Sequence, residues 1–347
     1  MYNAISVRRT ANVVFFCASM AFDHYRCGAG EPTLAASNSV PEASSLPGTL
    51  TVATNGAAQF KTVQSAINAA ATGTATNPTI IRIKPGAYKE LIYIQREKRF
   101  LHLIGQNATN TILTYDLYAR MPGPDGKPIG TFRTASTLID ADDLTAENIT
   151  FENSAGPVGQ ALAIRIDGDR LAFRNCRFLG WQDTVLANRG RHYFENCYIA
   201  GHVDFIFGGA TCWFESCRIH CLRDGYLTAA STPANQPFGF VFSNCKISAE
   251  SPEVRTYLGR PWRGYASVTY LNTEMSASIR PQGWENWRDP AREKTARFAE
   301  YHSSGPGFDS TARVKWARQL TDAEAKEFTV DKVVGGQDHW DPKESFR

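Results

Sequence analysis

The chain has 347 residues, 43% of them apolar and 20% charged, with a formal net charge of +3. Those proportions exclude a disordered or low-complexity chain and leave room for one large domain or two ordinary ones. So small a net charge gives no case for nucleic acid, although a mildly basic surface suits a polyanionic substrate.

At the N-terminus, Arg8 and Arg9 precede TANVVFFCASMAF, an apolar stretch of signal-peptide length that is too short to span a bilayer. Export is therefore expected, to a secreted or periplasmic location; a disordered leader is the plainer alternative. From about Gly28 to Leu50 the chain is rich in Ala, Ser, Pro and Gly, as a linker would be. The expected division is a leader and linker over 1–49 and a folded domain over 50–347. No other apolar run reaches membrane-spanning length. The first element is FKTVQSAINAAAT (60–72), with Phe60, Val63, Ile67 and Ala70 at helical spacing.

Four later segments repeat one pattern: FRNCRF (173–178), FENCYI (194–199), FESCRI (214–219) and FSNCKI (242–247). AENITF (146–151) is a weaker forerunner, with Asn148 and Ile149 at the Asn and Cys positions. Cys176, Cys197, Cys217 and Cys245 are 21, 20 and 28 residues apart. One strand per 20–30 residues, without long helical periodicity between Thr79 and Val268, predicts an all-β solenoid, the parallel β-helix. Equivalent positions in adjacent coils then lie about 4.8 Å apart, which makes the four cysteines an interior column. The spacing neither implies a disulfide nor matches a zinc site. Near the C-terminus, TDAEAKEF (321–328) opens with a capping-box pattern, Thr321 to Glu324, and predicts a second helix packing back onto the coil. Such helices at both ends would protect the open edges of the sheets.

Register also selects the acidic residues. Asp183, Asp204 and Asp224 each lie eight residues after the repeat's Asn or Ser position, at Asn175, Asn196 and Ser216. Asp183 and Asp204 are then neighbours on one sheet face. Two carboxylates about 5 Å apart repel by about 3 kcal/mol at an effective dielectric near 20. One should hold a proton while the other is ionised, giving an acid and a nucleophile or base from one residue type. A solvated Asp ladder or a calcium site is the structural alternative. Asp224, in the turn-like RDGYLTAAS, reads as structural. Gln182 precedes Asp183, and Gln160 lies one coil earlier; neutral amides suit an oxyanion. Arg260 could hold one carboxylate ionised, and Trp262 suits a sugar face. His202 reads as a loop residue.

These residues fall in motifs that resemble the pectin methylesterases, over roughly residues 50–330. GAYKE (86–90) resembles that family's GxYxE, and GPVGQALA (156–163) its GxxxQAVA segment with Leu162 for Val. GWQDT (180–184) carries its QDT, while DFIFG (204–208) and LGRPW (258–262) are identical to its motifs. The resemblance implies a right-handed, pectin-lyase-like parallel β-helix and hydrolysis of the C6 methyl esters of homogalacturonan to pectate and methanol. It implies Asp204 as nucleophile, Asp183 as general acid and then base, Gln160 and Gln182 as oxyanion donors, and Arg260 fixing Asp204. Trp262 would line the sugar subsites. DLYARMPGPDGKPIG (116–130) looks like an insertion before TFRTAST, which resembles a substrate-binding segment and offers Thr131 as a contact. Pectin is the expected partner, with no cofactor or metal, no nucleic acid, no membrane span and a monomeric state. A pectin-cleaving β-helix glycosidase or lyase remains open, since paired carboxylates also suit a retaining glycosidase. So does a non-catalytic wall-binding solenoid.

Overall fold

Over residues 48–346, which this computed structural model describes, the chain winds as successive coils whose laddered strands all pair in parallel. The expected leader, most of its linker, Cys17 and Cys27 lie outside those residues. An 11-stranded sheet runs from Thr49–Val52 to Arg318–Gln319. A 13-stranded sheet folds over the other side of the core; the long strands Tyr198–Gly208 and Arg218–Ala230 each cross from one of its faces to the next. This is the parallel β-helix expected from the repeat.

Register explains the repeat letter by letter. Phe173, Phe194, Phe214, Phe242 and Tyr270 are cross-strand partners. Their rings stack along the interior at 4.9, 4.6, 4.4 and 4.6 Å between centroids. The Asn or Ser before each cysteine turns the corner in the left-handed region: φ is 55° at Asn175, 51° at Asn196, 52° at Ser216 and 53° at Asn244. Asn tolerates that conformation better than most residues because its short side chain bonds locally. Here Asn196 donates to Asn175 Oδ1 at 2.7 Å. Cys176, Cys197, Cys217 and Cys245 form the expected interior column, and each thiol donates to a carbonyl of the preceding coil. The six cysteines between Cys176 and Cys245 are all buried and free. Burial pushes the Cys197, Cys217 and Cys245 thiols well above their ordinary range, so none is primed as a nucleophile.

The expected N-terminal helix is shorter than its pattern, Val63–Ala69, and buries Val63, Ala66 and Ile67 in the core. Glu90, the last residue of GAYKE, accepts from Val63 N at 2.8 Å and Gln64 N at 2.9 Å and so caps this helix. Tyr88 of the same motif is buried and donates to Lys84 O at 2.8 Å. That motif is therefore a clamp between helix and first coil.

The capping box at Thr321 and Glu324 is present, but its helix is one turn, Asp322–Ala325. Beyond it the chain runs back over the outside of the 11-stranded sheet. Val333, Val334 and Phe346 pack there against Tyr193, Trp213 and Val241. Arg191 ties the segment down, bonding Asp169 at 2.6 Å and Asp338 at 2.9 Å.

Candidate active site

Asp204 lies within the strand Tyr198–Gly208, and its φ of 52° breaks the strand's regular alternation. Pairing with the next coil shifts register twice here, between Gly201 and Val203 and again between Val203 and Ile206, the interval that holds Asp204. A bulge of this kind re-aims a side chain. Phe205 and Ile206 then enter the core while Phe207 faces a separate outer cluster with Leu162, Leu186 and Ala229. Gly208 ends the motif because a Cβ there would lie 2.0 Å from Ala187 O. Asp183 repeats the device one coil earlier, with φ 66° and its N–H donating to Val203 O at 3.1 Å. The partners Val185 and Ile206 show that the two aspartates are in register.

Asp224 departs from the expected column. Val203 already pairs with Tyr226, so Asp224 falls short of the register of Asp204. It is exposed and accepts from Arg255 N at 2.7 Å, in keeping with a structural role. His202, expected in a loop, is part of the strand Tyr198–Gly208, where coils pair on both sides. Its N–H donates to Trp181 O at 2.9 Å, and burial lowers its pKa.

The aspartates open into a cleft of about 320 Å³. Gln160 and Gln182 form a parallel bridge and both line it. Thr131 and Trp262 line it too, joined by Phe132, Phe207, Ala229 and Trp287. The inserted segment is a closed excursion: Ile129 N donates to Met121 O at 2.9 Å and Gly130 N to Ala119 O at 2.9 Å. Its base hangs from Gln160 O through Ala119 N at 2.9 Å, and this brings the short 3₁₀ turn Thr131–Arg133 to the cleft.

Arg260 meets Asp204 with two parallel bonds, Nε to Oδ1 at 2.9 Å and Nη2 to Oδ2 at 2.7 Å. Its guanidinium is held between two rings, 3.8 Å from the Tyr226 centroid and 3.9 Å from that of Trp287. Sequence reasoning missed both rings. The signal was GWENW (283–287), in which Trp284 enters the core and Trp287 the cleft. Glu285 between them fixes the turn by accepting from Trp287 N at 2.9 Å.

The two carboxyls differ in environment. Burial, then the charge of Asp204, pushes Asp183 well above the usual carboxylate range. Burial also raises Asp204, but the bidentate bond and charge of Arg260 oppose it, so Asp204 rises less. Of the two, Asp204 is therefore the first to lose its proton as pH rises. Among the described residues, no group of three or more His, Cys, Asp or Glu could hold a metal ion, and no helix is long and apolar enough to cross a membrane.

Two buried carboxyls of unequal affinity for a proton, beside two neutral amides on a parallel β-helix, form an arrangement able to cleave an ester. The family model described as Pectinesterase matches residues 49–337, and the chain belongs to that family. It is 42% identical over 289 residues to Pectinesterase 31 of Arabidopsis thaliana, covering 82% of this chain and 91% of that one. Among solved structures it is similar to the pectin methylesterase from carrot, with TM-score 0.79 and 32% identity over 86% of this chain and 96% of the other. A pectin methylesterase in complex with a hexasaccharide matches with TM-score 0.73 and 31% identity, over 84% and 98% of the two chains. The chain is a pectin methylesterase, a carboxylic ester hydrolase.

Proposed function

We propose that Asp204 is the nucleophile and Asp183 the proton carrier in hydrolysis of galacturonate C6 methyl esters. The observation that carries this reading is the asymmetry of the pair: Arg260 grips Asp204 through two bonds, while Asp183 has no ion-pair partner among the described residues. An Asp204 carboxylate oxygen attacks C6, and the negative charge moves to the former carbonyl oxygen. The Gln160 and Gln182 amides donate to that oxyanion. As the C6–O bond to the methyl group breaks, Asp183 passes its proton to the leaving oxygen and methanol departs. This leaves an anhydride between C6 and Asp204. The Asp183 carboxylate then takes a proton from water, the hydroxide attacks C6, and Asp204 leaves as carboxylate. The cycle closes with Asp183 protonated.

Trp262, packed on Phe207 at 5.8 Å, and Thr131 are proposed to contact the sugar. The two amides favour the esterase over a glycosidase, whose oxocarbenium-like transition state needs no oxyanion donors. A wall polymer as substrate agrees with export, and the chain is proposed to act as a secreted or periplasmic monomer.

The test is methanol release from methylated polygalacturonate with polymer length followed in parallel and a chelator present. The expected outcome is methanol and acid without chain shortening. Asp204→Asn and Asp183→Asn should each lower turnover by about 10³-fold or more, and Gln160→Ala by about 10²–10³-fold. Wild-type turnover in Asp204→Asn would remove it as nucleophile. Chain shortening without methanol would favour the glycosidase.

A further inference from the structure

On another face of the solenoid, successive coils set Arg177, Tyr198, Arg218 and Lys246 in one cross-strand register. Their neighbours Phe178, Ile199, Ile219 and Ile247 point into the core, so the row itself points out. Adjacent positions on such a ladder lie about 4.8 Å apart. Tyr198 separates Arg177 from Arg218, so within this row only Arg218 and Lys246 are adjacent like charges, which a bound polyanion would bridge. Lys246 has Glu274 at 2.8 Å, but Arg177 and Arg218 have no carboxylate within ion-pair distance among the described residues. Arg177 instead lies over the Tyr198 ring, 5.5 Å from its centroid.

Beside this row runs a groove of about 360 Å³, lined by Arg177, Gly180, Trp181, Tyr198, Ala200 and one carboxylate, Glu152, among others. Small residues let a ligand approach the backbone, and Trp181 and Tyr198 offer flat apolar surface. Exposed Arg223 sits over Trp181, 4.7 Å from the ring centroid, and also has no ion-pair partner among the described residues. Trp181 directly precedes Gln182, so groove and catalytic cleft meet at one turn of the chain.

We propose that this face binds a run of de-esterified galacturonate residues, the carboxylated product, outside the catalytic cleft. Rings accept the apolar faces of the sugars, and the unpaired guanidinium groups accept their carboxylates, for which a planar fork is well shaped. A methyl ester carries no charge, so the face favours chain that has already been hydrolysed. The enzyme would then stay on a polymer it has begun to de-esterify. The proposal rests on the esterase reading of the cleft for the origin of its ligand.

Calorimetry of fully de-esterified polygalacturonate against the Asp204→Asn protein tests it without catalysis. Adding Arg177→Gln and Arg218→Gln together should weaken binding by about five- to tenfold, the scale of two exposed charge contacts, and the difference should vanish at high ionic strength. Trp181→Ala is a second probe, expected to weaken binding at any ionic strength. In otherwise native protein, the double arginine variant should keep its kcat on a short methylated oligomer and show a raised KM on long, partly de-esterified pectin. Unchanged affinity in both the arginine and the Trp181 variants would overturn the proposal. So would an equal loss of activity on short and long substrates. If native protein released no methanol while the arginine variant still lost affinity, the esterase reading would fail and the binding face would stand.

Discussion

Asp183 holds its proton in the folded protein far more tightly than an ordinary carboxyl, because it is buried next to another carboxylate. The folded state therefore binds a proton that the unfolded chain has released. Stability from this group is complete below the unfolded pKa, about 3.9, and is lost as pH rises toward the folded value. Asp183→Asn should consequently raise the melting temperature at neutral pH, with the gain disappearing below about pH 4. Thermal unfolding at both pH values checks this, and a lower neutral melting temperature would contradict it. Trp287 acts one step away, through Arg260. Without that ring the guanidinium is held from one side only, and its grip on Asp204 loosens. Asp204 would then ionise at higher pH. Trp287→Leu should lower kcat by about tenfold and move the acid limb of its pH profile upward, whereas Trp287→Phe should restore both. A fall in kcat with an unmoved profile would count against the positioning role.

At the scale of the strand, the corner residue of each coil matters most. Asn148, Asn175, Asn196, Asn244 and Asn272 share the left-handed corner, which Ser216 and His302 occupy in two further coils with φ 52° and 48°. Most L-residues pay about 1–2 kcal/mol there, and Asn less. Ser216→Asn should stabilise the protein by about 0.5–1 kcal/mol in denaturant titration without changing activity. A loss of stability would mean that the Ser216 hydroxyl has a role beyond filling the corner. The cysteine column is a second strand-scale device. Cys197→Ser replaces a buried thiol with a more strongly polar hydroxyl and should cost about 1–3 kcal/mol, with activity kept once folded. Loss of activity at an unchanged melting temperature would contradict its interior role.

Across the whole molecule, the solenoid must close its last coils. Glu300, on the strand Arg297–Tyr301, is fully buried and bonds Arg313 Nε at 2.7 Å and Nη2 at 3.2 Å. Arg313 also reaches Gly307 O and Pro281 O, each at 3.0 Å, so one guanidinium gathers the loops over the end of the core. Arg313→Met leaves the Glu300 charge buried and unpaired and should destabilise by about 3–5 kcal/mol. Replacing both partners by apolar residues should recover much of that loss. A single variant with near-native stability would show that Glu300 is neutralised in another way.

The coil period by itself determined the solenoid, because in a parallel β-helix one sequence interval becomes one rung of separation. Phe, Asn and Cys at fixed spacing became a stacked core, a left-handed corner and an interior column. The same translation put Asp183 beside Asp204 and Gln160 beside Gln182, and residue chemistry made Arg260 a partner for a carboxylate. The spacing failed where a coil changes length. Three aspartates share one offset, yet the bulge around Asp204 and the longer path to Tyr226 leave Asp224 outside the column. Tertiary structure alone decided that Tyr226 and Trp287, from separate coils, clasp Arg260, and that Glu90 of a family motif caps a helix. It also supplied the physical cause that ranks the two aspartates, an order the motifs had only implied. Burial and a bidentate partner set that order, and both depend on side chains that packing brings together from distant coils.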